Sequence, residues 1–442
     1  MQNKLNVKRT ILVGFAFFLI SAFWQSYDKI VPIILTYRFD MPQWLSGIIM
    51  SLDNVFAVFM LPLFGALSDK VSTRFGRRTP FILVGTVAAV VFYIFLSFAP
   101  SLALFIILLL FTLIAMATFR SPAVALMPDV TEKSLRSKGN AIINLMGTAG
   151  GIAVLGVGLF IKVGESHAKN YPIYVVLVCA IMIAALVVFL LTVKECAWAK
   201  EADALNRALS SESKEEETPA AEEKHKLSKP EFISLCLILA SVALWFTGYN
   251  AVTSKFSVYV EEVFSFRNEA GAIIGDPKVS YDAALMVAQI AAIIAYIPVG
   301  LVSSRFGRKK TILAGIILLS AAFGFAALIN MNTPPLPMYL LFALAGIGWA
   351  TINVNSFPMV VELATGSDVG KYTGYYYTAS MSAQIITPIL SGVLIGWIGW
   401  EIFFPYATIF TTLSFVTMLF VKHGDAKPAQ KASLLEHLDT DD

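Results

Sequence analysis

Twelve apolar runs, each long enough to cross a bilayer, dominate this chain of 442 residues. A spanning helix needs about 20 predominantly apolar residues. Read between charge clusters, the runs cover approximately 10–36, 43–68, 80–99, 102–127, 139–162, 171–193, 231–260, 280–303, 311–331, 336–363, 371–396 and 399–421. Gly and Pro interrupt several of them, which membrane helices tolerate because their neighbours satisfy the freed backbone groups. Only a tight turn at Gly396, Ile398, Gly399 and Trp400 separates the last two. Hydrophobic residues make up 57% of the chain and charged ones 14%, against about 25% charged in soluble domains. That balance excludes a water-soluble globule, and it excludes disorder, which requires low hydrophobicity. The expected fold class is an all-α membrane protein.

Lys4, Lys8 and Arg9 precede the first run, as in a secretory signal. The run is longer than the 7–15 residues of a signal core, and no small-residue cleavage site follows, so it reads as an uncleaved helix. Positive charge in short loops sets orientation. Loops 69–79, 128–138 and 304–310 carry Lys70, Arg74, Arg77, Arg78, Lys133, Arg136, Lys138, Arg305, Arg308, Lys309 and Lys310. The opposite loops carry only Arg38, Lys169, Arg267 and Lys278. Both termini are therefore expected in the cytoplasm, with the chain in the plasma (inner) membrane.

Residues 194–230 break the apolar pattern with a Ser/Glu-rich charged stretch that cannot bury a core. The expected organisation is a six-span bundle at 1–193, a cytoplasmic charged linker or loose helix at 194–230, a second six-span bundle at 231–421, and a cytoplasmic tail at 422–442. The bundles share a repeat. GALSDKVSTRFGRR at 65–78 follows the second span, and GLVSSRFGRK at 300–309 follows the eighth. The common Arg-Phe-Gly-Arg string at the same topological place suggests two homologous halves with a site between them.

These loops resemble the signature of the major facilitator superfamily, in which Gly, three residues and Asp precede Gly-Arg-Arg/Lys between the second and third helices. The second copy has that spacing from Gly300 to Gly307, with Ser304 in place of the acid. The first keeps Asp69 and has four extra residues before Gly76. The longer form, with Pro62, Gly65, Ser68, Asp69, Ser72, Arg74, Phe75, Gly76, Arg77, Arg78, Pro80, Phe81 and Ile82, is similar to the sucrose–proton symporters and to the broader glycoside–pentoside–hexuronide:cation symporters. Pro122, Ala125, Leu126, Asp129, Asn140, Ala141 and Ile142 continue the likeness. The resemblance implies two pseudo-symmetric six-helix bundles around a cavity lined by helices one, four, seven and ten. It implies cation-coupled sugar symport by alternating access, the coupling cation a proton with sodium as the alternative. The chain departs from the sucrose symporters at Leu113, where they carry the proton-binding Asp, and at Val124, where they carry an Arg. Arg120 is a candidate displaced substitute.

A charge at the bilayer centre costs about 2.5–3.5 kcal/mol on insertion scales, so each one invites a role. Asp53 lies about ten residues, or roughly 15 Å, into the second span. Beside Asn54, it is the first candidate for proton coupling, followed by Asp28 and Arg120. The alternative for Asp53 is a structural hydrogen bond or ion pair, with Arg120 one partner. Trp24 and Asp28 share a helical face, as do Gln25 and Lys29, and with Tyr27 they suit a sugar platform. The alternative is an aromatic anchor with a snorkelling Lys29. Lys255 is expected to snorkel from the outer end of span seven.

Neutral polar groups complete the candidate substrate set: Asn144, Tyr249, Asn250, Gln289, Trp349, Asn353, Asn355, Tyr376 and Gln384. Each alone is as readily helix–helix glue. Together, amides and indoles with few fixed charges suit a neutral polyhydroxy solute, since a dianion calls for several buried Arg or Lys. The candidate cytoplasmic gate comprises Gly65, Asp69, Arg74, Gly76, Arg77, Arg78 and Asp129, with Arg305, Gly307, Arg308 and Glu362 in the second half. Asp69 would latch the loop, while the arginines also hold it inside by simple topology.

No phosphate-binding Gly-Lys loop, catalytic constellation or metal-ligand pattern stands out among four His and three Cys, so neither an enzyme nor a resident cofactor or metal is expected. A net charge of +3 gives no footprint for nucleic acid. The expected partners are the bilayer and a small sugar, a disaccharide or glucoside such as sucrose or maltose, carried by a monomer. A proton-coupled exporter, or a carrier of another neutral or amphipathic solute, is the main alternative. A transporter-like solute sensor is a minor one.

Overall fold

The computed structural model describes residues 5–132, 135–213, 228–363 and 369–424. Twelve of its helices are long and apolar enough to cross a membrane. The first six spans are α1 (Val7–Tyr37), α2 (Gln43–Lys70), α3 (Thr79–Ser97), α4 (Leu102–Val130), α5 (Arg136–Phe160) and α6 (Tyr171–Thr192). A thirteenth helix, α7 (Glu195–Ser213), follows outside the set. The remaining spans are α8 (Lys229–Phe264), α9 (Tyr281–Phe306), α10 (Arg308–Ala326), α11 (Leu336–Val361), α12 (Val369–Ile398) and α13 (Phe403–Leu419). A short antiparallel pair, β1 (Ser265–Arg267) and β2 (Ile273–Pro277), joins α8 to α9. It has no counterpart in the sequence expectations, because three to five residues carry too little periodicity.

Local chemistry sets the ends. The Ser280 hydroxyl accepts from the backbone N–H of Ala283 at 3.2 Å, and Ser228 forms a capping box with Glu231 at the start of α8. Proline occupies the first turn of α3, α6, α8 and α11, where a missing N–H costs nothing. Gly307, at φ +95°, lets the chain leave α9 and enter α10 within a single residue.

The segment expected as a charged linker or loose helix, 194–230, opens with the helix α7. Its Trp198 and Ala202 are buried, and Glu195 is 3% exposed. The linker residues 214–227 and the tail residues 425–442 lie outside the described residues.

Contacts sort the chain into two compact units. The first comprises Met1–Ser26, Val55–Val157 and Lys169–Glu223; the second comprises Tyr27–Asn54, Gly158–Ala168 and Lys224–Asp442. This differs from a division at residue 194 in two places: 27–54 and 158–168 pack with the second unit. Hydrogen bonds explain why. From 27–54, Tyr37 donates to Glu262 at 2.8 Å, Lys29 to Asp282 at 2.6 Å, and the Gln43 carbonyl accepts from Lys255 at 3.0 Å; from 158–168, Lys162 and His167 pair with Asp276. In the first unit, α3 packs on α4 and α6, and α7 on α4. In the second, α8 packs on α12 and α13, and α11 on α9 and α10. Small residues allow these helices to approach, as expected inside a membrane.

Candidate functional site

In the first unit, the loop after α2 closes on itself. Thr73 and Gly76 exchange backbone hydrogen bonds, and Gly76 sits at φ +118°. Arg74 and Phe75 are left at the exposed tip, the guanidinium 4.7 Å from the ring. The next two arginines turn inward on one acid. Arg77 reaches Asp129 at 2.8 and 3.2 Å, and Arg78 Nε donates to the same carboxylate at 2.7 Å. Arg78 also binds Asp69 and the Ser68 hydroxyl. Its side chain is 6% exposed. Burial opposes its charge, and the bonds to Asp129 and Asp69 outweigh burial, holding the guanidinium above its ordinary range.

Glu195, the first residue of α7, completes this cluster. Its carboxylate accepts from the backbone N–H groups of Arg77 (2.7 Å), Arg78 (2.9 Å) and Thr79 (2.8 Å), and from the Thr79 hydroxyl (2.7 Å). An acid thus satisfies donors that the start of α3 would otherwise leave orphaned, at the positive end of its dipole. A Cβ on Gly76 would lie 2.2 Å from the Glu195 carboxylate. Sequence reasoning missed Glu195, which sits among ordinary linker charges more than a hundred residues from its partners.

The second unit repeats the arrangement with different parts. The Arg305 guanidinium lies 5.5 Å from the Phe306 ring, matching Arg74 and Phe75. Arg308 pairs with Glu362 beyond α11, as Arg77 pairs with Asp129 at the end of α4. The Ser303 hydroxyl donates to the Asn355 side-chain oxygen. Lys309 donates to the carbonyls of Leu419 and Val421 at 2.9 and 2.6 Å.

The candidate substrate residues divide between the units. In the first, Arg120 on α4 lies 5.6 Å from the Trp24 ring on α1, and Gln25 and Asn144 are half-buried. Gly65 approaches α4 closely, since a Cβ there would be 2.9 Å from the Ser121 hydroxyl. In the second, Tyr249 on α8 stacks on Trp349 of α11, with centroids 3.9 Å apart and planes at 21°. Trp245 meets the same indole edge-on at 5.1 Å. Asn250, Gln289 and Gln384 are half-buried in that unit, and Asn353 and Tyr27 are buried. The Asn250 amide nitrogen is buried with no hydrogen-bond partner among the described residues. Asn54 donates to Asp53 at 2.8 Å, and Asp28 lies within electrostatic reach of Asp53.

Several expectations change. Asn355 accepts from Ser303 and donates to the Thr351 carbonyl at 2.9 Å, so each end of its amide is engaged in helix packing. The Tyr376 hydroxyl is likewise engaged with Ser356 at 3.0 Å. Lys255 does not snorkel: it is 2% exposed and bonded to Gln43. Lys29 does not snorkel either. It is 3% exposed and ion-paired with Asp282, an acid the sequence reading passed over because it opens α9 as an ordinary first-turn carboxylate.

Outside the spans, Lys162 and His167 both hold Asp276. Partial burial would raise this acid, and its two partners instead hold it below the ordinary carboxylate range.

The Major Facilitator Superfamily model matches residues 13–277 and 274–438, so the chain belongs to that family and is a multi-pass membrane transporter of its type. Among solved structures, the nucleoside transporter NupG matches with a TM-score of 0.69 at 15% identity, over 94% of this chain and 100% of that one. The xylose transporter XylE from E. coli, in its inward-open conformation, matches with a TM-score of 0.64 at 12% identity, over 97% and 98%. At these identities the likeness shows the fold alone. A curated relative, the bacillibactin exporter of Bacillus subtilis (strain 168), is 31% identical over 117 residues. That match spans 26% of this chain and 29% of the exporter.

Proposed function

We propose that this transporter is a proton-coupled symporter of a neutral polyhydroxy solute, a disaccharide or glucoside such as sucrose or maltose. It works as a monomer by alternating access in the plasma membrane, with both termini and the Arg-Phe-Gly-Arg loops in the cytoplasm. The stack of Tyr249 on Trp349 carries the reading. The C–H face of a pyranose lies on an aromatic plane, and the amides of Asn250, Asn353, Gln289 and Gln384, carried by spans of the same unit, suit hydroxyl groups. Arg120, over Trp24, is the cation of the candidate set, and the cations buried in other spans, Lys29 and Lys255, are bonded to Asp282 and Gln43, which leaves few for the several contacts a dianion calls for. Asp53 on α2 and Asp28 on α1 are the carboxylates assigned to the coupling cation, sodium being the alternative to the proton. The cluster of Asp69, Arg78 and Asp129 acts as the cytoplasmic latch, since breaking it would shift the equilibrium between access states.

The similarity to an exporter segment favours a second reading, a proton-coupled exporter of another neutral or amphipathic solute. Reconstituted vesicles separate the two. Labelled sucrose, maltose and hexoses are presented under imposed proton or sodium gradients of either direction. Accumulation driven by external acid supports symport; accumulation driven by internal acid supports export. Failure of every glycoside under every gradient would sink the sugar reading. Asp53→Asn should then abolish gradient-driven accumulation and spare exchange.

A further inference from the structure

A cavity of about 330 Å³ lies in the first unit, where the start of α1, the end of α4 and α7 meet. None of the candidate substrate or gate residues lines it. Val13, Met127 and Ala202 give it buried apolar walls, and the exposed Glu201 and Leu205 stand at its edge. Beside those walls is a seat that already holds a cation. Trp198 and Glu201 are three residues apart on α7 and share a helical face. Arg9 of α1 donates to the Glu201 carboxylate at 2.7 Å, and its guanidinium carbon is 5.4 Å from the centre of the Trp198 ring. The indole is buried, whereas the Arg9 and Glu201 side chains are 41% and 53% exposed. Water weakens a pair so exposed, and its cation exchanges readily.

We propose that this cavity binds a compact organic cation, a guanidinium, amidinium or protonated amine on an apolar body, and that Arg9 is a tethered competitor for its seat. An indole face and a carboxylate are the groups that recognise such a head. The head replaces the Arg9 guanidinium beside Trp198 and Glu201, and the body enters the cavity against Val13, Met127 and Ala202. Charge is conserved in the exchange. Glu201 trades one cation for another, and Arg9 turns from a half-exposed position into water.

The charge of the lining selects the sign of the ligand. Among the described residues, the charged groups on the cavity are Arg9, Glu132 and Glu201, so acids outnumber bases. An anion would gain Arg9 and meet two carboxylates, and like charges side by side are costly. A neutral molecule of the same shape cannot displace Arg9 and gains the apolar contacts alone. The helix that carries the seat also carries Glu195, which caps the loop after α2. A ligand that binds α7 only in its docked position therefore stabilises that cap by mass action.

The probe is benzamidine, with benzamide as its neutral counterpart and benzoate as its anionic one. Each is titrated calorimetrically into the full-length protein in phosphatidylcholine discs. Benzamidine should saturate a single site and bind about tenfold or more tighter than either counterpart. Arg9→Gln removes the competitor and should tighten benzamidine about three- to tenfold, the worth of an exposed ion pair and an exposed cation–π contact. Arg9→Lys keeps a tethered cation and should stay within about threefold of wild type. In the Arg9→Gln background, Glu201→Gln and Trp198→Phe should each weaken benzamidine about two- to fivefold. A loosened α7 lowers affinity in every variant, so a rise in Arg9→Gln separates competition from misfolding. Benzamidine bound no tighter than benzamide, or less tightly than benzoate, overturns the proposal. So does unchanged or weaker binding in Arg9→Gln, or undiminished binding after Glu201→Gln is added to it.

Discussion

Replacing Glu195 by glutamine changes one oxygen to an amide and should destabilise the loop between α2 and α3 by a predictable amount. The native carboxylate accepts four hydrogen bonds at 2.7–2.9 Å while 3% exposed. In the variant, the retained oxygen still serves the N–H groups of Arg77 and Arg78, now as a neutral acceptor. The new NH2 group faces the Thr79 N–H, donor against donor. The Thr79 hydroxyl can reverse and accept. One buried N–H is thus left unmet, at about 1–3 kcal/mol, and the charge-assisted part of the other bonds is lost. The interaction with the start of α3 adds about 0.3–1 kcal/mol. A net loss of about 2–3 kcal/mol follows, and about 2–4 °C of melting temperature per kcal/mol is usual for a unit of this size. The purified protein should melt about 4–12 °C lower, followed by tryptophan fluorescence in detergent. Hydrogen exchange at Arg77, Arg78 and Thr79 should accelerate before exchange elsewhere in α3. Unchanged melting together with unchanged exchange at those amides would refute the assignment of Glu195 as the cap of this loop.

Other perturbations test other contacts. Asp69→Asn removes one partner of Arg78 and should slow turnover with little change in substrate affinity, whereas unchanged turnover would leave the loop a purely topological device. Trp349→Ala removes the plane under Tyr249; aromatic pairs contribute about 0.5–1.5 kcal/mol, so glycoside affinity should fall up to about tenfold in uptake assays, with Trp349→Phe in between. Gly158→Ala drives a methyl into the Asp282 carboxylate and should lower thermal stability, yet cost far less when combined with Asp282→Ala, a non-additivity that a double-mutant cycle reads directly. Asp276 is held below its ordinary range by Lys162 and His167, so its contribution to stability is present above the unfolded carboxylate value and is lost as pH falls through its lowered value. Asp276→Asn should accordingly melt lower than wild type at neutral pH and equal to it in strong acid.

The architecture was legible because its signals are local. Apolar runs of bilayer length announce the spans one by one, and each Arg-Phe-Gly-Arg string marks a tight loop whose glycine takes a positive φ. Asp129 and Glu362 were legible as loop partners because each ends a span beside a basic turn. What escaped reading depends on pairs far apart in the chain. Lys29 alone looks like a snorkelling cation, and Asp282 alone looks like a helix-start acid; only the fold makes them counter-ions. Lys255 was misplaced for a related reason, since depth along a helix says nothing about a carbonyl offered by Gln43 on another one. Asn355 shows how long-range packing also engages groups that the sequence offers to a solute. An amide within a span invites a solute, and in the fold it also meets Ser303 and the Thr351 carbonyl.

The position of Glu195 also fixes where the polypeptide can be cut. Its carboxylate is tied to residues 77–79, so the stretch that opens α7 belongs structurally to the first half although it lies beyond the last of its spans. Two separately expressed fragments divided between Lys194 and Glu195 would deprive α3 of its cap and leave Gly76 facing an empty pocket. Fragments divided beyond Ser213 would carry the cap with the helix it serves. The place at which two half-molecules can be rejoined or swapped therefore lies at the far end of α7, some twenty residues later than the last span would suggest.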